Sequence, residues 1–164
     1  MSDTKVTMTD VERETLDYVT QHRDSYLSSG GRQGHVVDYR QLGGHRFTTT
    51  LLLEYRGRKS GERRITPLIY GDMGGEVVVV ASKGGADVHP AWYLNVLAME
   101  EVTIQIGGQA FRASWREPQG DERAAVWKFM AELYPPYHAY QAATQRVIPI
   151  IMFQTSDEVE PLTS

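Results

Sequence analysis

The sequence predicts an α+β domain built on an antiparallel sheet or barrel, and three observations carry that expectation. Short β-prone runs follow one another through most of the chain, several of them joined by glycine turns such as Gly107-Gly108. Helical patterns fall at the N-terminus and late in the chain, and do not alternate with the strands at the spacing a doubly wound parallel sheet requires. Finally, 164 residues with 41% hydrophobic and 23% charged content suit one globular domain with a core of ordinary size.

Residues 1–8 are expected to fray. Thr9-Asp10 offers a helix cap, Glu12 and Glu14 sit near the positive end of the helix dipole, and Val11, Leu16, Val19 and Leu27 give a patchy apolar stripe. Ser28-Ser29-Gly30-Gly31 ends that helix. Glycines at 30, 31, 34, 43 and 44 mark residues 30–45 as an irregular connection. Phe47 to Tyr55 is the first expected strand, rich in Thr and Leu, and Glu62 to Tyr70 the second. Pro67 suits an edge or a bulge there, because proline cannot donate to a ladder. Gly71 to Gly75 turns the chain into a buried third strand over 76–82.

Pro90 opens a short helix with Trp92, Tyr93, Val96 and Leu97 on one face. Val102 to Ile106 and Gln109 to Trp115 make a hairpin. From about Asp121, the residues Val126, Phe129, Met130 and Leu133 follow the i, i+3, i+4, i+7 spacing of a buried helix face, which Pro135-Pro136 stops. Val147 to Phe153 is the last strand. The expected organisation is an N-terminal helix and connection over 1–45, a sheet domain over 46–154 and a tail over 155–164.

Several chemistries have little support. The absence of cysteine excludes disulfides, thiolate catalysis and cysteine-held clusters. The five histidines, His22, His35, His45, His89 and His138, form neither an H-x-x-x-H nor an H-E-x-x-H pair, so no metal site is expected. Neither a Walker A pattern nor a G-x-S-x-G elbow occurs. No 18-residue apolar run and no signal-peptide core is seen, which makes a cytoplasmic protein the expectation, with at most a peripheral membrane contact. Such a profile fits a protein whose reactive atom belongs to a bound cofactor.

Two stretches point to an anionic ligand. Ala81-Ser-Lys-Gly-Gly85 lies between a strand and a helix N-terminus, where glycines free to take positive φ let backbone amides converge. An ordinary turn with a solvated lysine is the competing reading of the same residues. Arg56-Gly-Arg-Lys-Ser-Gly-Glu-Arg-Arg64 holds five basic residues and one acidic, while the whole chain carries −4. So local a positive field on an acidic protein suits a discrete anion better than a nucleic acid. Tyr134, Tyr137 and Tyr140 recur every third residue, either walling an apolar pocket or simply packing a helix end.

Together these residues resemble the deazaflavin-dependent nitroreductase family, the split β-barrel proteins of actinobacteria that use coenzyme F420. The resemblance covers about Leu51 to Ile150. It rests on Gly57-Arg-Lys-Ser-Gly61, Arg64, Thr66-Pro-Leu68 with Tyr70, Ala81-Ser-Lys-Gly-Gly85 and His89-Pro-x-Trp-Tyr-x-Asn95. It continues through Val102-Thr103, Tyr134-Pro135, Tyr137, Tyr140-Gln141, Thr144, Arg146 and Ile148-Pro149. Where relatives carry threonines before the Gly-Arg-Lys turn, this chain has Glu54-Tyr55-Arg56.

The resemblance implies a split β-barrel with F420 bound by Arg58, Lys59, Arg64, Pro67, Ser82, Lys83, Gly84, Gly85, Trp92 and Asn95. It assigns the acceptor pocket to Tyr134, Tyr137 and Tyr140; the candidate proton donor is Tyr134 or Tyr137, with Ser82 next and bound solvent as the alternative. The expected activity is hydride transfer from reduced F420 to a quinone, an activated enone or a nitroaromatic. An FMN-binding reductase of the same fold is the runner-up, and a non-catalytic carrier of F420 or a fatty acyl anion is the reading from another class. The sequence sets no oligomeric state.

Overall fold

The computed structural model describes residues 10–164, with side chains from residue 15 onward. The expected cap at Thr9-Asp10, the side chains of Val11, Glu12 and Glu14, and the fraying of residues 1–8 lie outside what is described. Helix α1 spans Asp10–Ser28, α2 Ala91–Leu97, α3 Gly120–Leu133 and α4 Pro136–Ala142. The strands are β1 Val36–Val37, β2 Thr48–Arg56, β3 Arg63–Ile69, β4 Gly71–Met73, β5 Glu76–Val80, β6 Glu101–Ile106, β7 Gln109–Arg116 and β8 Ile150–Val159.

All pairings are antiparallel. The sheet runs β1-β2-β6-β7-β8-β5-β4, with β3 paired to β2, and curls into the half-barrel that the resemblance implies. Pro67 sits opposite Leu52 in β3, whose only ladder among the described residues is with β2, so the missing N–H interrupts no second ladder.

Strand alternation divides the interior into two cores. Val77 and Val79 of β5 enter the first, with Ile151 and Phe153 of β8 and Leu51, Leu53 and Tyr55 of β2. Val78 and Val80, with Ile150 and Met152, face the second, which α3 and α4 cover through Val126, Met130, Tyr134 and Tyr137. Both faces of β5 and of the Ile150–Phe153 half of β8 are therefore buried, which is why Val77 to Val80 read as a continuous apolar run, not an alternating one. Each such side chain, fully buried, contributes about 1.5–3 kcal/mol. Helix α2 packs into the first core through Trp92, Tyr93 and Val96, and so fixes the exit of the 81–90 loop.

Several expectations need correction. Phe47 is 75% exposed, and the first strand begins at Thr48. The Gly71–Gly75 turn is shorter than expected, since Gly71 to Met73 pair with β5 and only Gly74-Gly75 reverse the chain. The 30–45 connection contains β1 and a single 3-10 turn over Arg40–Leu42. The last strand starts at Ile150, because Ile148 N–H bonds to Gln141 and the Pro149 carbonyl accepts Ala81 N–H. It also continues past Phe153: residues 155–159, expected as tail, remain strand, and Ala110 and Phe111 of β7 pair with Val159 and Glu158. Those residues are mostly exposed and polar, so no apolar alternation announced them.

Candidate cofactor and acceptor site

The turn between β2 and β3 carries the basic cluster to the open end of the sheet. Gly57 N–H bonds to the Glu62 carbonyl (2.9 Å) and Gly61 N–H to the Gly57 carbonyl (2.8 Å), closing a compact loop with Arg58 and Lys59 at its tip. Arg58, Lys59 and Arg64 line a pocket of about 400 Å³ with Tyr55, Gly57, Ser60, Ala91 and Asn95.

Asn95 is buried, and its Oδ1 accepts from both the Arg58 backbone N–H (2.9 Å) and the Arg58 guanidinium (3.0 Å). One neutral acceptor thus orients the cation without cancelling its charge. Lys59 is exposed and has no acidic partner among the described residues, whereas Arg64 meets Glu62 at 3.1 Å. Tyr55 is a wall that sequence reasoning missed; burial raises its phenol pKa, against a smaller opposing pull from Arg64. Its neighbour Glu54 pairs with Arg63, so the Glu-Tyr-Arg departure supplies one pocket wall and one ion pair outside that pocket.

The second element is the turn after β5. Ser82 is half-buried, Lys83 and Gly84 are exposed, and Gly85 is buried. The chain runs through positive φ at Lys83 (45°), Gly84 (63°) and Gly85 (84°), a conformation disfavoured for a non-glycine residue such as Lys83. Gly85 N–H to the Ser82 carbonyl (2.9 Å) and Ala86 N–H to the Lys83 carbonyl (3.2 Å) close the turn and leave the amides of Lys83 and Gly84 outside it.

Gly85 itself has a different task from the one expected. A Cβ there would lie 2.8 Å from the Tyr140 carbonyl oxygen and 3.0 Å from its Cα, whereas one on Gly84 would meet nothing within 4 Å. The buried glycine lets α4 approach, and the part of the turn open to a ligand is Lys83-Gly84 with the half-buried Ser82 beside it.

The third element is the tyrosine cluster. Tyr134 and Tyr137 are each 3% exposed and pack in the second core, with ring centroids 4.9 Å apart, while Tyr140 is partly exposed. The Tyr134 and Tyr140 hydroxyls lie 3.2 Å apart. Burial, reinforced by the hydroxyl pair, raises the Tyr134 pKa, and burial alone leads the rise at Tyr137. These phenols hold their protons well above neutral pH. Tyr39 packs edge-on against Tyr134 at 5.6 Å and joins the same cluster, another residue the sequence did not single out.

The structure therefore gathers Arg58, Lys59, Arg64 and Asn95 in one pocket, and brings Tyr140 against the 82–85 turn. Six expected cofactor residues do not line that pocket: Ser82 to Gly85 form the separate turn, and Trp92 and Pro67 belong to neither. Trp92 is 7% exposed and packs in the first core, so its ring serves to anchor α2, the helix that carries Asn95. Pro67 is half-buried in β3 and does not line the pocket.

The groups left open to a ligand are cations and backbone amides, which suit an anionic organic ligand. The fold is that of a split-barrel protein, and these groups give it a site for an anionic ligand. The chain belongs to the F420H(2)-dependent quinone reductase family, whose family model matches residues 22–155. It is 31% identical over 134 residues to the F420H(2)-dependent quinone reductase Rv1261c of Mycobacterium tuberculosis, a match covering 80% of this chain and 85% of that protein.

Among solved structures it resembles an F420-H2 dependent reductase, FDR-A, at 40% identity and a TM-score of 0.59, covering 64% of this chain and 93% of the other. A second, described as a domain-swapped dimer, is 36% identical with a TM-score of 0.62, covering 85% and 99%. No helix among the described residues is long and apolar enough to cross a membrane.

Proposed function

We propose that this F420H2-dependent reductase acts on a small electron-poor acceptor, with quinones as the leading class and activated enones or nitroaromatics as the others. The observation that carries the reading is the pocket in which Arg58, Lys59 and Arg64 converge while Asn95 holds Arg58 in place. Reduced F420, when bound, supplies a hydride from its deazaflavin ring. Everything else falls to the chain, with the sheet over residues 36–159 as the cofactor-binding unit.

Arg58, Lys59, Arg64 and Lys83 bind the cofactor's phosphodiester and carboxylates through charge-assisted hydrogen bonds. The open amides of Lys83 and Gly84 add donors beside them, and Ser82 offers its hydroxyl at the same turn. The acceptor lies toward Tyr140, with Tyr134 and Tyr137 behind it. The Tyr134–Tyr140 hydroxyl pair holds the proton for the anion that hydride addition creates. Tyr140 is the member that reaches the surface, so it is the hydroxyl best placed to contact an acceptor; this moves the donor role from Tyr137, which is buried in the second core.

An acceptor panel tests the reading. With F420H2 as donor, a naphthoquinone, a cyclic enone and a nitroaromatic are compared at matched concentrations. The expected result is turnover of at least one, with the quinone preferred. No turnover with any of them, by protein that retains F420, would instead favour a carrier.

A further inference from the structure

We infer that Arg146 is the positioning residue of the cofactor turn, setting the direction in which the turn presents its amides and Lys83; this rests on the reading of that turn as part of the F420 site. The Arg146 Nε donates to the Ala86 carbonyl at 2.7 Å. One terminal nitrogen donates to the Ala81 carbonyl (3.2 Å) and to His89 Nδ1 (3.0 Å), and the other to the Ser82 carbonyl (2.8 Å). A single planar guanidinium thereby grips both ends of the 81–89 segment. Lysine, a point charge with three donors on one atom, cannot reproduce that fork.

The consequence follows from peptide geometry. No cis peptide occurs among the described residues, and in a trans unit the carbonyl and the next N–H point in opposite directions. Carbonyls of Ala81 and Ser82 aimed at Arg146 therefore turn the N–H groups of Ser82 and Lys83 away from it. The Lys83 amide, which the turn's own bonds leave unused, is one of those two. The fork also braces Lys83 at its positive φ, where two internal bonds alone close the turn.

Charge points the same way. Arg146 has no carboxylate within ion-pair distance among the described residues, so no salt bridge competes with its fork to the turn, although the charge of Asp87 acts on it from farther away. Asp87 accepts instead from the Thr144 hydroxyl at 2.9 Å. Arg146 is itself held: its carbonyl accepts from Gln141 Nε2 (2.8 Å), and its N–H donates to Thr144 Oγ1 (3.3 Å). The guanidinium thus couples the end of α4, which bears Tyr140, to the turn that meets the cofactor.

The test is a double-mutant cycle on the full chain. Arg146→Ala removes enough bonds that it need not fold, so the conservative Arg146→Lys, which keeps the charge, carries the measurement. F420 affinity is titrated by tryptophan quenching for wild type, Arg146→Lys, Lys83→Ala and the double variant. Thermal melting without cofactor and kcat at saturating F420H2 are followed alongside.

If Arg146 acts through the turn, Arg146→Lys should weaken F420 binding about tenfold with kcat within about twofold of wild type, and Lys83→Ala should then add less than about twofold. Unchanged affinity in folded Arg146→Lys, or fully additive losses, would overturn the inference. Wild-type protein that fails to bind F420 would overturn the functional reading instead, so the two failures are distinguishable.

Discussion

The backbone of Tyr140 runs so close to Gly85 that a Cβ on the glycine would lie 2.8 Å from the Tyr140 carbonyl oxygen. The turn assigned to the cofactor and the helix assigned to the acceptor are thus in direct contact, and one buried glycine permits it. Gly75 is the natural control, because its φ of 91° nearly matches the 84° of Gly85 while its Cβ direction is open. Gly75→Ala should cost about 1 kcal/mol, the backbone term alone. Gly85→Ala should cost about 1–3 kcal/mol more through overpacking against α4. Equal losses in denaturant titrations would show that α4 does not press on the turn.

Asn95 separates orientation from charge in the cationic pocket. Asn95→Asp keeps an acceptor for both Arg58 donors but places a negative charge against the guanidinium. Its melting temperature should stay near wild type while F420 affinity falls about tenfold or more. Lys59→Ala, at an exposed cation without an acidic partner among the described residues, should lose about three- to tenfold. Unaltered affinity in both variants would remove the hairpin from the site.

The hydroxyl pair makes a third expectation. Tyr140→Phe and Tyr134→Phe each delete one partner of the 3.2 Å contact and leave the rings in place. F420 affinity should stay within about twofold of wild type, and kcat with a quinone should fall about tenfold or more, most at Tyr140. Unchanged turnover in both would leave the cluster a packing feature and assign the proton to solvent.

Stability should also respond to pH through His35. Its ring stacks on Tyr70 with centroids 6.0 Å apart, its Nε2 lies 2.9 Å from the Tyr70 hydroxyl, and burial lowers its pKa below the ordinary 6.5. As pH falls past 6.5 the unfolded chain takes up the proton first, so this contribution to stability is full above 6.5 and is lost as pH falls through the lower folded-state value. Urea midpoints between pH 8 and pH 5 should fall less steeply in His35→Gln than in wild type. Parallel slopes would assign the acid sensitivity to other groups.

Much of the architecture was legible because strand signals are local. The valine run of β5, the Gly107-Gly108 hairpin and the α3 stripe each depend on neighbours a few residues away. The basic hairpin was legible for the same reason, as charge clustered in sequence stays clustered on a tight turn. The docking of α1 was not. It depends on Tyr26, 0% exposed, whose hydroxyl donates to the Thr50 carbonyl (3.0 Å) and accepts the Gly107 N–H (2.8 Å), partners 24 and 81 residues away. Arg146 was equally opaque as a brace, since its partners begin 57 residues upstream. Gly85 misled for another reason: a glycine that admits a ligand and one that admits a helix look alike in sequence.

The most direct test of the pocket and turn as an F420 site is retention of cofactor on the wild-type protein. Protein is incubated with F420 or with FMN at low and at high salt, passed through gel filtration, and the spectrum of the protein peak is recorded. Because the holding groups are exposed or half-exposed cations, the expected result is retained F420 that declines as salt rises, with little FMN under either condition. Retention of FMN in place of F420, or F420 binding indifferent to salt, would contradict it.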